Sequence, residues 1–181
     1  MQLIPRLREL GADRRGVAAV EFALILPLLL LLYFGVAELT QGVMAQQRAA
    51  HTASTIGDLT AQSSSVTSAG VGQIFTVGNA ILYPYPTASL QMRITSVVSD
   101  NNGADTVAWS QATGMTKLAT GSTVSTSGIN NVLSANQSVI MAEVNYTYTS
   151  AVGYILPHPI TFHEVYYLRP RLSSNVTCGD C

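Results

Sequence analysis

The side chains best equipped for catalysis or metal binding in this sequence are three histidines and two cysteines, and their spacing argues against both. His158 and His163 are five positions apart, which on an extended strand directs their side chains to opposite faces, and His51 falls in a distant helical stretch. Serines are plentiful, yet none sits in a Gly-x-Ser-x-Gly elbow, and neither a glycine-rich phosphate loop nor a His-Glu-x-x-His pattern occurs. Cys178 and Cys181 stand in the terminal tetrapeptide Cys178-Gly179-Asp180-Cys181. In an oxidising compartment they can close a small disulfide that pins the tail, and that pairing is our expectation; free or intermolecular thiols are the alternative. A redox role would place the first cysteine at a helix amino terminus, and a zinc site would need two more ligands that no other cysteine supplies. We therefore expect no catalytic residue, no metal site and no cofactor. Tyr146, Tyr148, Tyr154, Tyr166 and Tyr167 read as core and sheet-surface packing rather than as a carbohydrate platform.

One further residue has a chemistry at odds with its surroundings. Glu21 is the single side chain charged at neutral pH in VAAVEFALILPLLLLLYFGVA, residues 17–37. At 1.5 Å rise per residue this run reaches roughly 31 Å, the thickness of a bilayer's hydrocarbon core. A carboxylate there costs about 2 to 3 kcal/mol on insertion scales, so it marks a functional position unless it snorkels or is protonated near the interface. Nothing within the helix can neutralise it. Arg6, Arg8, Arg14 and Arg15 precede the span and outnumber Glu9 and Asp13, whereas basic residues are sparse after it. The positive-inside bias puts residues 1–16 in the cytoplasm and the carboxyl-terminal bulk on the opposite side of the membrane.

The order Arg14-Arg15-Gly16, then Val17-Ala18-Ala19-Val20-Glu21-Phe22, resembles the type III signal of type IV pilin-like proteins. More narrowly, RRGVAAVEFALILPLLLLLYFGVAEL is similar to the TadE-like pilus-assembly family, minor pilins or pseudopilins of the tight-adherence (Tad) system. The Glu21-Phe22 pair, Pro27 in the leucine run, and Gly35 with Glu38 after it all fit. The resemblance implies that a prepilin peptidase cuts between Gly16 and Val17. It also implies that Glu21, beside Phe22, contacts the new amino terminus of an adjacent subunit, giving the carboxylate a counter-charge only when helices associate. The implied partners are the prepilin peptidase, other minor and major pilins, and the inner-membrane assembly platform, and the implied work is pilus assembly supporting surface adhesion. A rival for the same segment is an ordinary secretory signal cut after Gly35-Val36-Ala37, which would release a product beginning at Glu38. Pro27 either gives the helix compliance for packing or is a tolerated membrane proline.

Composition agrees with a chain not built for water alone. Only 10% of residues are charged and the net charge is -1, so no general field exists to attract nucleic acid. The length suits one folded unit plus a membrane segment. Residues 38–63 lack proline and strand alternation, and Ala50, Ala53, Ile56 and Leu59 recur at helical spacing, so the membrane helix continues as a stem whose last turns Gly57 weakens. Residues 64–181 form the extracytoplasmic domain. It opens with a short helix that places Ile74, Val77 and Ile81 on one face and ends at Pro84. Strands follow: residues 90–98, with Leu90, Met92, Ile94 and Val98 on one side; residues 105–109 after an Asn101-Asn102-Gly103 turn, with Val107 and Trp109 alternating; residues 137–149, with Ile140, Ala142, Val144, Tyr146 and Tyr148 on one side; and residues 160–168, with Ile160, Phe162, Tyr166 and Leu168 aligned. Residues 111–135, rich in Gly, Ser, Thr and Asn, read as a flexible surface loop. The expected fold is α+β and pilin-like: a long amino-terminal helix whose amphipathic stem covers one face of a small antiparallel sheet. A second functional class remains, a membrane-tethered or secreted adhesin whose loop 111–135 recognises a surface.

Overall fold

The computed structural model describes residues 16–101, 103–124, 133 and 135–181. The leader with Arg14 and Arg15, Asn102 of the expected turn, and residues 125–132 of the expected loop lie outside the described residues. Helix α1, Val17–Ala61, runs unbroken through the apolar span and the stem, with Pro27 inside it. Its first half and its second half differ in what they can bury. Residues Gly35, Glu38, Gly42, Ala45, Ala49, Thr52, Ala53, Ile56, Gly57, Thr60 and Ala61 recur at three- and four-residue steps and are buried, forming a narrow stripe of mostly small side chains. Strand β1 (Ser65–Val66) follows, then helix α2 (Ser68–Leu82). Thr67 caps α2, its hydroxyl accepting from the Gly70 amide at 3.0 Å. At the other end Arg48 of α1 donates to the Ile81 carbonyl at 3.0 Å, satisfying a last-turn acceptor with a cation.

Four strands make one antiparallel sheet: β2 (Leu90–Ser99), β3 (Asp105–Thr113), β4 (Ser138–Tyr148) and β5 (Ile160–Leu168), in the order β3-β2-β4-β5. Both helices lie on one face of it, in an α+β, pilin-like arrangement. Ile140, Ala142, Val144, Tyr146 and Tyr148 of β4 meet Ala45, Ala49, Ala53 and Ile56 of α1 in a single core, as the alternation in β4 requires. Successive β4 residues point the other way, and Val139 and Met141 join Val97 in a second, smaller core on the opposite face. Arg93 and Glu143 stand directly opposite one another on β2 and β4 on that outer face. Their pair is bidentate, with Arg93 Nε at 2.6 Å from Glu143 Oε2 and Nη2 at 2.8 Å from Oε1.

Several local expectations change. The buried face of α2 is Val71, Phe75, Gly78 and Leu82; Ile74 and Ile81 are half-buried and Val77 is exposed. Gly78 is the reason, because it lets α2 approach α1 and β2: a Cβ there would lie 2.6 Å from Met92 Sδ and 3.2 Å from Thr52. Val107 and Trp109 are not on one side of β3. The register slips between Ser96 and Val97, so Trp109 pairs with Ser96 and Val107 with Val97, and the extra residue Ala108 puts the two side chains on opposite faces. Strand β3 also runs on to Thr113, so residues 111–113 are strand rather than loop. The described residues after it fold back: the Val107 amide donates to Ser122 O at 3.0 Å, the Gly121 amide to Val107 O at 2.8 Å, and Leu118 and Val124 pack on the second core.

Gly57, read from the sequence as a weak point, is a place where α1 lies directly against the sheet. A Cβ at Gly57 would lie 2.5 Å from Leu168 Cδ1 and 3.0 Å from Ala142 Cβ. Gly72, by contrast, has nothing within 4 Å of its would-be Cβ. Gly57→Val is expected to lower stability by about 2 kcal/mol or more through overpacking, which exceeds its small gain in helix propensity. Gly72→Ala is expected to raise stability by about 1 kcal/mol. Chemical denaturation in detergent reads both, and equal effects at the two glycines would contradict the close approach at Gly57.

Candidate functional site: an uncovered helix and its clamp

Gly16 immediately precedes α1 and Val17 is its first residue, both exposed, with no atom within 4 Å of a would-be Cβ at Gly16. Glu21 sits one turn further along, exposed, with Phe22 beside it. Among the described residues no hydrogen bond or ion pair reaches the Glu21 carboxylate. The most apolar window of α1 has none of its residues buried within the protein. Leu24, Leu28, Leu32 and Tyr33 are each more than three-fifths exposed. By length and composition this segment can cross a membrane. An apolar surface of this extent needs lipid or other helices around it.

Among the described residues the first buried position of the helix is Gly35, and there the chain grips it. The connection between β4 and β5 crosses α1 at a step of roughly one turn per contact. Ile155 Cγ1 would lie 3.2 Å from a Cβ on Gly35, and Leu156 Cδ1 3.5 Å from one on Gly42. Between them Glu38 is 3% exposed. Its Oε2 accepts from the Ile155 amide at 2.7 Å and its Oε1 from the Ser150 hydroxyl. The Ser150 oxygen in turn accepts from the amides of Val152 and Gly153, each at 3.3 Å. A buried carboxylate is tolerable when donors surround it, and this one is enclosed by a loop from more than a hundred residues away. One turn beyond, the Tyr85 hydroxyl bonds Gln41 O at 3.1 Å and Gln41 Oε1 at 2.9 Å, and its ring packs edge-on against Tyr148 with centroids 6.0 Å apart. Burial, reinforced by Tyr148, lifts the Tyr85 phenol above its ordinary range, which keeps it a neutral donor. A cleft of about 490 Å³ opens beside it, lined by Gln41, Tyr85, Ser89, Tyr148 and neighbours.

The other residues singled out in the sequence lie elsewhere. Cys178 and Cys181 are bridged at the far end of the domain, beyond the carboxyl end of α1. Their segment is docked rather than a loose end. Strand β6 (Thr177–Cys178) pairs parallel with β1, Asp180 Oδ1 accepts from the Ser68 amide at 2.8 Å, and the buried Trp109 donates through Nε1 to Val176 O at 2.7 Å. Cys178, Asp180 and Cys181 bring three donor atoms within 4.8 Å of one another, but sulfurs joined in a disulfide are not the thiolates that ligate metals. His51 is on α1, His158 is in the β4–β5 connection, and His163 is on β5 bonded to Asn145, so the histidines do not share a site.

In the sequence Glu38 enters through the TadE-like resemblance and as the start of a secreted product, not as a buried acceptor for a distant loop. Its partner Ser150 carries no local signal that would have linked the two.

A long exposed apolar helix at the amino terminus, fused to a helix-covered antiparallel sheet, defines a membrane-anchorable α+β protein of pilin-like build. The family described as TadE-like protein has a model that matches residues 16–57, which is Gly16 together with α1 as far as Gly57. The resemblance drawn from the leader and the apolar run is thereby borne out over that segment. No match is found among curated proteins or among solved structures.

The clamp makes a local prediction. Glu38→Ala should leave α1 helical and able to insert in a membrane, while the amides of Val152, Gly153 and Ile155 lose protection in hydrogen exchange. Glu38→Gln should retain part of it, because its carbonyl oxygen still accepts. Unchanged protection in Glu38→Ala would mean that the loop is held by Ile155 and Leu156 packing alone.

Proposed function

We propose that this chain is a structural subunit of a Tad-type pilus, a minor pilin or pseudopilin that packs through the amino-terminal half of α1 to initiate or anchor assembly, and that it has no enzymatic activity. The observation that carries this reading is the apolar half-helix, whose most apolar window is left uncovered by the described residues and which bears one carboxylate, Glu21, a single turn from Val17. Cleavage after Gly16 would create an α-amino group at that position, and in a bundle the ammonium of one subunit would neutralise the glutamate of the next. Prepilin peptidase, other pilins and the inner-membrane platform are the partners this implies, with the sheet domain on the periplasmic side and the chain extracellular if it enters a filament. The secretory alternative cuts before Glu38, in the middle of a continuous helix and at the clamp itself; it would discard Gly35 and with it the seat of Ile155. The match to the TadE-like family begins at Gly16 and ends at Gly57, a span that includes the helix a secretory cut would remove.

Mass spectrometry of the amino-terminal peptide from the native cell should find Val17. A terminus at Glu38 would indicate a secreted product and one at Met1 an uncut anchor; either would overturn the pilin reading. Glu21→Ala should insert in the membrane as well as the wild type, or better, and co-purify with fewer pilin subunits. Undiminished co-purification would remove the proposed counter-charge.

A further inference from the structure

The level at which the β4–β5 connection meets α1 has a consequence for what surrounds that connection. Ile155 packs on Gly35, which is two residues inside the apolar run 17–37, or roughly 3 Å short of its end. Whatever medium surrounds the helix at Gly35 therefore also bathes Ile155. We propose that residues 152–155 form a second membrane-contact site, seated in the lipid leaflet beside the helix on the side of the sheet domain. The inference rests on α1 spanning a bilayer through residues 17–37.

Three properties of the loop suit lipid rather than water. Val152, Tyr154 and Ile155 are 59%, 64% and 40% exposed, and residues 149–157 contain no charged side chain. Apolar side chains displayed together on a surface mark a place of contact. The loop also brings its own hydrogen-bond partners: Ser150 Oγ accepts from Val152 N and Gly153 N, and Glu38 Oε2 accepts from Ile155 N. Irregular backbone is excluded from an apolar phase unless its amides are satisfied within the protein, and side chains do so here for Val152, Gly153 and Ile155. Finally Tyr154 presents a ring with a hydroxyl at its tip, the kind of side chain that settles at the boundary between acyl chains and headgroups. Helix and loop together would fix the height of the sheet domain above the membrane and prevent it from rotating freely about the anchor.

The test uses the full chain in phosphatidylethanolamine–phosphatidylglycerol vesicles whose acyl chains are brominated near the headgroup end. Tyr154→Trp, Leu28→Trp as a marker of the span, and Leu172→Trp as a marker of the distal surface are compared, each against the background of the buried native Trp109. Tyr154→Trp is expected to emit further to the blue than Leu172→Trp and to be quenched by the bromolipid. Val152→Trp serves as a second probe should Tyr154→Trp fold poorly. If Leu28→Trp is quenched while Trp at 154 and at 152 both behave like Trp at 172, the loop faces water and the proposal falls though the span stands. If Leu28→Trp is not quenched, the spanning reading and the proposal fall together. A blue shift without quenching that disappears as protein is diluted in lipid would identify a neighbouring copy as the occupant and would also overturn it.

Discussion

The distance between α1 and the sheet, set by side chains that are nearly absent, is the constraint on which the domain depends. Gly57 brings the helix within touching distance of Ala142 and Leu168, and Ala45, Ala49 and Ala53 continue the same low ridge across β4. Interiors pack at crystal-like density, so a helix that lies this low leaves little room above the sheet. Strand β4 supplies Ile140, Val144, Tyr146 and Tyr148 to the core, and β2 and β3 add Met92, Ile94 and Trp109. Gly78 repeats the device for α2, admitting Met92 and Ile56 where a side chain would have stood. The helices thus approach the sheet through recesses at Gly57 and Gly78, and fill the space between with Ile56, Phe75 and Leu82.

The two halves of α1 follow from the same ridge. Where small residues recur on one face the helix is covered; toward the amino terminus the leucine run has bulky side chains all round, and the domain no longer reaches it. A helix apolar on every side calls for apolar surroundings, which lipid or other helices would provide. The clamp at Gly35, Glu38 and Gly42 marks the change. Its carboxylate is held by the far loop one turn inside the Gly35 contact, so the boundary between the uncovered half and the domain is a set of packed side chains and hydrogen bonds and not a flexible linker.

How much of this could be read from the chain depended on whether the signal was local. The apolar run with Glu21, the long stem and the alternation in β4 each repeat with the period of the element they form, and these were legible. The face of α2 was misjudged by about one position because its decisive residue, Gly78, contributes by having no side chain, which a search for apolar periodicity cannot see. The bulge at Ala108 reverses Trp109 against Val107 without any change in composition. Glu38 with Ser150, and Trp109 with Val176, are separated by long stretches of chain, so their pairing is a property of the tertiary fold. The docking of the tail beside α2 was missed for the same reason: the Cys178-x-x-Cys181 spacing foretells a small ring, not the parallel pairing of β6 with β1 that carries it.

Because α1 passes from its apolar end to the sheet without a break, it acts as a stiff rod, and its one proline, Pro27, lies well inside the uncovered half. No joint lies between Gly35 and Ala61. A push, pull or twist applied among neighbouring helices would be delivered to the sheet almost undiminished, and motion absorbed at Pro27 would leave the gripped portion unbent. The outer domain would therefore report the posture of its buried end in the manner of a lever arm.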